Sequence, residues 1–172
     1  MKKKNLFFLA FVLFFACSTN TDLTWLSWEA GEAKATKTDK KVLVWVYDPS
    51  CSTCKEAEQR IFNTPEINQY LNQHFIPIKL SGKRKEIITT KGKTYIYRQG
   101  LNGYDFHDLA QAITQSKETI SYPQLVFLDE NMNIIAPLSG NIQPNELNLL
   151  LHFVAEEQFK KMDIETYRKT HD

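Results

Sequence analysis

Two cysteines with two residues between them, Cys51-Ser52-Thr53-Cys54, are the side chains of this sequence best suited to chemistry. They follow Val42-Leu43-Val44-Trp45-Val46-Tyr47, an unbroken apolar and aromatic run that reads as a strand buried on both faces. Asp48-Pro49-Ser50 ends that strand, and Lys55–Arg60 is built from good helix formers. The pair therefore lies where a strand hands over to a helix. Cys51 falls near the N-cap, and Cys54 one turn further on the same face. The first helical turn carries unsatisfied N–H groups and a partial positive charge, so a thiolate there is stabilised. A sulfur three residues on is placed to attack a mixed disulfide held on the first. The sequence thus assigns Cys51 as the attacking thiol and Cys54 as the resolving thiol. Two other uses of the pair stay open, a structural disulfide and half of a metal site. Zinc wants a second ligand pair, and no other cysteine or close histidine pair follows; copper would want Met or His neighbours, also missing.

The remaining cysteine, Cys17, belongs to a different context. Lys2-Lys3-Lys4 is followed by Leu6–Ala16, which has no polar side chain. That run is too short for a spanning helix of roughly twenty residues and suits a secretory signal. A cut directly before Cys17 resembles a bacterial lipoprotein signal, in which that cysteine is lipidated; a soluble secreted protein with an odd cysteine is the other reading. With Cys17 lipidated, the other two cysteines form one redox pair in an oxidising compartment. The 172 residues suffice for one domain with a proper core. Removing residues 1–16, which hold three lysines and no acid, takes the formal charge from +1 to −2. No broad basic field and no nucleic-acid partner is implied.

The rest of the chain supplies elements to position the pair. Residues 17–24 read as a polar tether, and Trp25 opens a helix reaching about Thr38. After the CxxC helix, Thr64-Pro65-Glu66 starts another, with Ile67, Tyr70, Leu71 and Phe75 at helical spacing. Phe75–Leu80 is a second strand, and Pro77 should put it near an edge. Two β-prone runs around Lys91-Gly92-Lys93 predict an inserted hairpin over 84–98, read as a solubilised insertion or as a flap near the site. Asp105–Ser116 is helix-like, with His107 off its apolar stripe and expected at the surface. Gln124–Asp129 and Ile134–Leu138 form a hairpin, Pro137 marking the edge, and Gly140 ends it. A last helix buries Leu147, Leu150, Leu151 and Val154. The tail 162–172 is mostly polar, with Ile164 and Tyr167 as exceptions, and is expected to dock loosely.

In this order the elements resemble a thioredoxin-like domain over about Trp25 to Lys161, an α/β fold with a central mixed β-sheet flanked by helices. Cys51-x-x-Cys54-Lys55-x-x-Glu58 followed by Phe62, Ile67, Leu71 and Phe75 is similar to the branch containing the C-terminal domain of the membrane thiol:disulfide interchange reductase. The resemblance implies that Pro123, in Tyr122-Pro123, is cis and faces the CxxC sulfurs. The Tyr122 backbone is then free to pair with an extended substrate segment. The sequence departs from thioredoxins proper in having Trp45 where a buried acid is usual, Ser50 where Trp precedes the first cysteine, and Ser-Thr between the cysteines. The expected activity is a lipid-anchored thiol-disulfide oxidoreductase of the bacterial envelope, facing the periplasm and reducing exported proteins. Its partners would be those cysteine-containing proteins, an upstream envelope electron donor, and the membrane through Cys17. Its chemistry needs no cofactor beyond the two sulfurs. The competing reading is a non-catalytic adaptor whose cysteines form an inert disulfide.

Overall fold

A computed structural model describes residues 22–100, 103–139 and 142–171. The chain order is α1 (Trp28–Ala35), β1 (Lys41–Tyr47), α2 (Ser52–Phe62), α3 (Pro65–His74) and β2 (Phe75–Ser81). The short strands β3 (Ile88–Thr90), β4 (Lys93–Tyr95), β5 (Tyr97–Arg98) and β6 (Phe106–His107) follow. Then come α4 (Asp108–Thr114), β7 (Gln124–Leu128), β8 (Ile134–Ser139), α5 (Pro144–Ala155) and α6 (Ile164–Lys169). Four strands make the central sheet in the order β2-β1-β7-β8. β1 runs parallel to β2 and antiparallel to β7, and β7 runs antiparallel to β8. The sheet is mixed, and the two CxxC-proximal strand ends, of β1 and β2, point the same way.

β1 is central because every residue in it finds a packed partner. Val42, Val44 and Val46 join one apolar cluster with Trp28, Leu109, Ala110 and Ile113. Leu43 and Trp45 join a second, on the other face, with Ala57, Ile61, Leu71 and Leu147. The strand period of two thus sends alternate side chains into two cores. Both prolines fall where their missing N–H is harmless, Pro77 on edge strand β2 and Pro137 on edge strand β8. Leu26 covers part of the β2 edge, donating to Pro77 O (2.9 Å) and accepting from Lys79 N (3.0 Å).

Several local expectations are corrected. The first helix starts at Trp28, because Ser27 caps it by accepting from Ala30 N, while Trp25 and Leu26 stay outside it. Leu23 packs on the second core, so the tether is already docked at that point. The inserted hairpin is present as β3 and β4, joined by Lys91-Gly92, both at positive φ as a two-residue hairpin turn requires. A second small ladder, β5 with β6, replaces the expected first turn of the following helix. α4 therefore begins at Asp108, and His107 is its N-cap, fully buried rather than at the surface. The tail does not dock loosely: α6 buries Tyr167 against Phe153, their ring centroids 5.1 Å apart. Residues 1–21, including the signal-like run and Cys17, and Gly140 lie outside the described residues.

Candidate functional site

The turn between β1 and α2 is held by its own first residue. Asp48 Oδ1 accepts from Ser50 N (2.8 Å) and from Ser50 Oγ (2.7 Å), and Asp48 O accepts from Cys51 N (3.1 Å). That closure turns the chain and delivers Cys51 to the N-cap of α2. There its backbone is extended, and its Sγ accepts from Cys54 N at 3.1 Å. Ser, Thr, Asp and Asn usually fill this role with oxygen; here the capping atom is the sulfur itself. The Thr53 hydroxyl lies 3.1 Å from the same sulfur. Cys51 and Cys54 are joined in a disulfide, with Cα atoms 5.3 Å apart. Cys51 is partly exposed, whereas Cys54 is buried in the helix face. One sulfur is therefore reachable from solvent and the other is screened behind it.

Behind the pair, Trp45 is buried in the second core and packs edge-on against Phe62, centroids 5.4 Å apart. Its cross-strand partner on β2 is Lys79. Lys79 reaches Glu58 on α2 and lies over the Tyr47 ring, 4.9 Å from its centroid. The charges beneath the site are thus a lysine–glutamate pair beside an indole.

The Tyr122-Pro123 peptide bond is cis. Val46 pairs with Gln124, so Pro123 lies at the end of the sheet where β1 gives way to the Asp48–Cys51 turn. Tyr122 packs down on Gly82, the first residue after β2, leaving no room there for a Cβ. Burial pushes the Tyr122 phenol up, and the nearby Asp48 charge adds to the effect. Lys83 then pairs with Asp48 at 3.8 Å, and Gly82 N donates to Tyr47 O at 2.8 Å. Cys51, Cys54, Tyr122 and Pro123 are accordingly gathered at one end of the sheet; Cys17 lies outside the described residues. Among the described residues no group of three or more His, Cys, Asp or Glu side chains is arranged to hold a metal.

Sequence reasoning singled out neither Gly82 nor Lys83, and it placed His107 at the surface where the structure buries it. The insert leaves β2 at the site end of the sheet, so these residues support it. His107 N donates to Gly82 O (2.8 Å), and its ring bridges Glu86 O (3.1 Å) and Leu109 N (3.2 Å). The available signal was a Gly-Lys pair immediately after a strand, which marks a close approach or a turn.

No curated protein matches the chain. Its structural neighbours include a thioredoxin from Thermus thermophilus, at 17% identity and TM-score 0.55, over 77% of this chain and 87% of that one. A thioredoxin-fold protein from Helicobacter pylori superposes at 18% identity and TM-score 0.54, over 77% and 80%. The DsbH oxidoreductase does so at 14% identity and TM-score 0.53, over 79% and 85%. These likenesses are of fold. The profile of the thioredoxin-like domain matches residues 28–155, from the start of α1 to the end of α5. With the mixed sheet, the CxxC disulfide at a helix mouth and the cis-proline beside it, the chain belongs to the thioredoxin-like domain family.

Proposed function

We propose that this protein is a thiol-disulfide oxidoreductase of the cell envelope that reduces disulfides of exported proteins. The observation that carries the reading is the asymmetry of the pair. Cys51 is partly exposed and its Sγ accepts from the Cys54 amide, while Cys54 is buried in the helix face. In the reduced protein, the Cys51 thiolate attacks one sulfur of a substrate disulfide. A bond forms to Cys51, and the first substrate sulfur leaves as a thiolate that takes a proton. Cys54, deprotonated, then attacks Cys51 Sγ and releases the second substrate sulfur. Two electrons have passed to the substrate, and the Cys51–Cys54 disulfide remains. A dithiol donor of the envelope reloads it by the reverse exchange.

The local charges favour the reducing direction. The Asp48 carboxylate of the turn is offset by Lys83. The two contacts aimed at Cys51 Sγ are the Cys54 amide and the Thr53 hydroxyl. Among the described salt bridges no Lys or Arg pairs at the cysteines themselves, and strong oxidants owe their potential to a stabilised reduced form, so we read the pair as a reductant. Export and a lipid anchor at Cys17 rest on the basic and apolar pattern of residues 1–17. The extended client segment would align along the Tyr122 backbone beside the cis bond.

The test is trapping. Cys54→Ala in the envelope should accumulate proteins disulfide-linked to Cys51, and Cys51→Ser should abolish reduction of a peptide disulfide. Full activity in Cys51→Ser, or no trapped species with Cys54→Ala, would replace this reading with the adaptor.

A further inference from the structure

We propose that the cleft between the inserted hairpin and α4 docks an acidic, extended segment of the polypeptide whose disulfide Cys51 attacks. This rests on the exchange reading above and adds which clients it favours.

The first observation is charge. Residues 82–98 hold six Lys or Arg and one acid, Glu86, in a chain whose 21 basic and 20 acidic residues nearly balance as a whole. Part of that excess is spent internally, Lys83 on Asp48, Arg84 on Glu29 and Glu86, and Arg98 on Asp108. Lys85 and Lys93 are not neutralised this way. They lie over the rings of Tyr97 and Tyr95, 5.0 and 4.9 Å from the centroids, and meet no carboxylate among the described residues. Cation–aromatic contacts hold the ammonium groups in place without cancelling their charge.

The second observation is shape. A cleft of about 560 Å³ lies between the hairpin and α4, with Lys93, Tyr95 and Arg98 on one side and Asp108, Gln111 and Lys117 on the other. Its one acid, Asp108, is already bridged by Arg98 at 3.0 Å. Lys117 is exposed and, like Lys93, has no carboxylate partner among the described residues. The volume admits a few side chains, and with Asp108 spent on Arg98 the lysines leave a net positive lining that attracts a ligand of the opposite sign. Asp or Glu side chains projecting from an extended strand fit that field; basic ones are repelled.

The third observation is position. The insert is rooted in the site itself, because Gly82 carries Tyr122 and Lys83 meets Asp48. Arg98 and Asp108 lie near that root, since Asp108 N donates to Ile96 O and His107 N donates to Gly82 O. The cleft is thus tied to the site through the segment that adjoins Asp108, and residues flanking a client's cysteine are the ones that would meet it.

The experiment compares two peptides of equal length, each with one disulfide, flanked by Asp/Glu in one and Lys in the other. Reduction by the reduced protein is followed at low salt. The acidic peptide should react about tenfold faster in kcat/KM, and the advantage should vanish near about 0.5 M salt. In the Lys93→Glu/Lys117→Glu variant the preference should reverse. Equal rates for the two peptides at low salt overturn the proposal. The salt series uses the unaltered protein, so misfolding of the variant leaves it decisive. If neither peptide is reduced, the exchange reading fails, and binding of the same peptides with Ser for Cys decides the docking. Tighter binding of the acidic one supports the cleft, and equal binding overturns it. Binding to anionic lipid vesicles without discrimination between peptides also overturns it, in favour of a membrane contact.

Discussion

Gly82 is the floor on which Tyr122 rests. A methyl group at position 82 would collide with the Tyr122 phenol, so the residue after β2 and the residue before the cis-proline have one joint solution. Gly82→Ala should cost about 1–3 kcal/mol of stability through that overlap. It should also lower kcat/KM for a peptide disulfide, because the displaced ring would carry with it the Tyr122 backbone on which the proposed client aligns. Denaturant midpoints and reduction kinetics measured together check this. Unchanged kinetics at reduced stability would show that the Tyr122 loop does not guide the client.

Thr53 is expected to tune Cys51. In the disulfide Cys51 has no S–H, so at 3.1 Å the Thr53 hydroxyl is the donor and the sulfur the acceptor. The same donor would favour the thiolate after reduction. Thr53→Val keeps the shape and removes the donor. The pH profile of Cys51 alkylation should move to higher pH, and the disulfide should become harder to reduce. A profile identical to that of the parent protein would remove Thr53 from the mechanism.

Trp45 tests what replaced the usual acid. It is 1% exposed, packed edge-on against Phe62, and its indole N–H has no partner among the described residues. Trp45→Phe removes an unpaired donor along with some ring volume, and should change stability by less than about 1.5 kcal/mol. Trp45→Ala should cost about 3–5 kcal/mol through the cavity it leaves. Equilibrium unfolding of both variants distinguishes a packing role from a polar one.

His107 should make stability depend on pH. Burial is the leading cause that holds its imidazole below the ordinary value of 6.5. With Nδ1 accepting from Leu109 N and Nε2 donating to Glu86 O, the neutral ring satisfies both contacts, and a second ring proton would break the cap. The unfolded chain therefore takes up a proton that the folded chain refuses. The stabilisation is fully present above 6.5 and is lost as the pH falls below it. Unfolding midpoints should fall between about pH 7 and about pH 5, and His107→Gln should flatten that slope. Glu130 and Glu157, both held below the usual carboxylate value of 4.5, titrate beneath this window. A slope that survives His107→Gln would assign it elsewhere.

Where local pattern and tertiary demand agreed, the fold was legible. Val42–Tyr47 alternates into two cores and read as a fully buried strand; Pro77 and Pro137 announced the two edges. Lys91-Gly92 announced its own hairpin turn. The failures share a cause. Phe106 has helical spacing to Leu109, Ala110 and Ile113, yet Phe106 and His107 are drawn into a ladder with Tyr97 and Arg98, which sequence periodicity cannot anticipate. Tyr167 stands in a polar tail, but one aromatic against Phe153 outweighs its neighbours' polarity. The importance of Gly82 was hidden because it depends on a contact with Tyr122, forty residues away in the chain.

The bridge from Leu26 to β2 has a bearing on company as well as on packing. It occupies ladder positions on one flank of the sheet, at Pro77 and Lys79 on either side of Ile78, while Pro137 interrupts the opposite flank. A stray extended chain meets an incomplete row of partners at either side, so lateral accretion into fibres is discouraged. For the proposed exchange with extended clients, such blunted flanks would separate brief engagement from permanent entanglement.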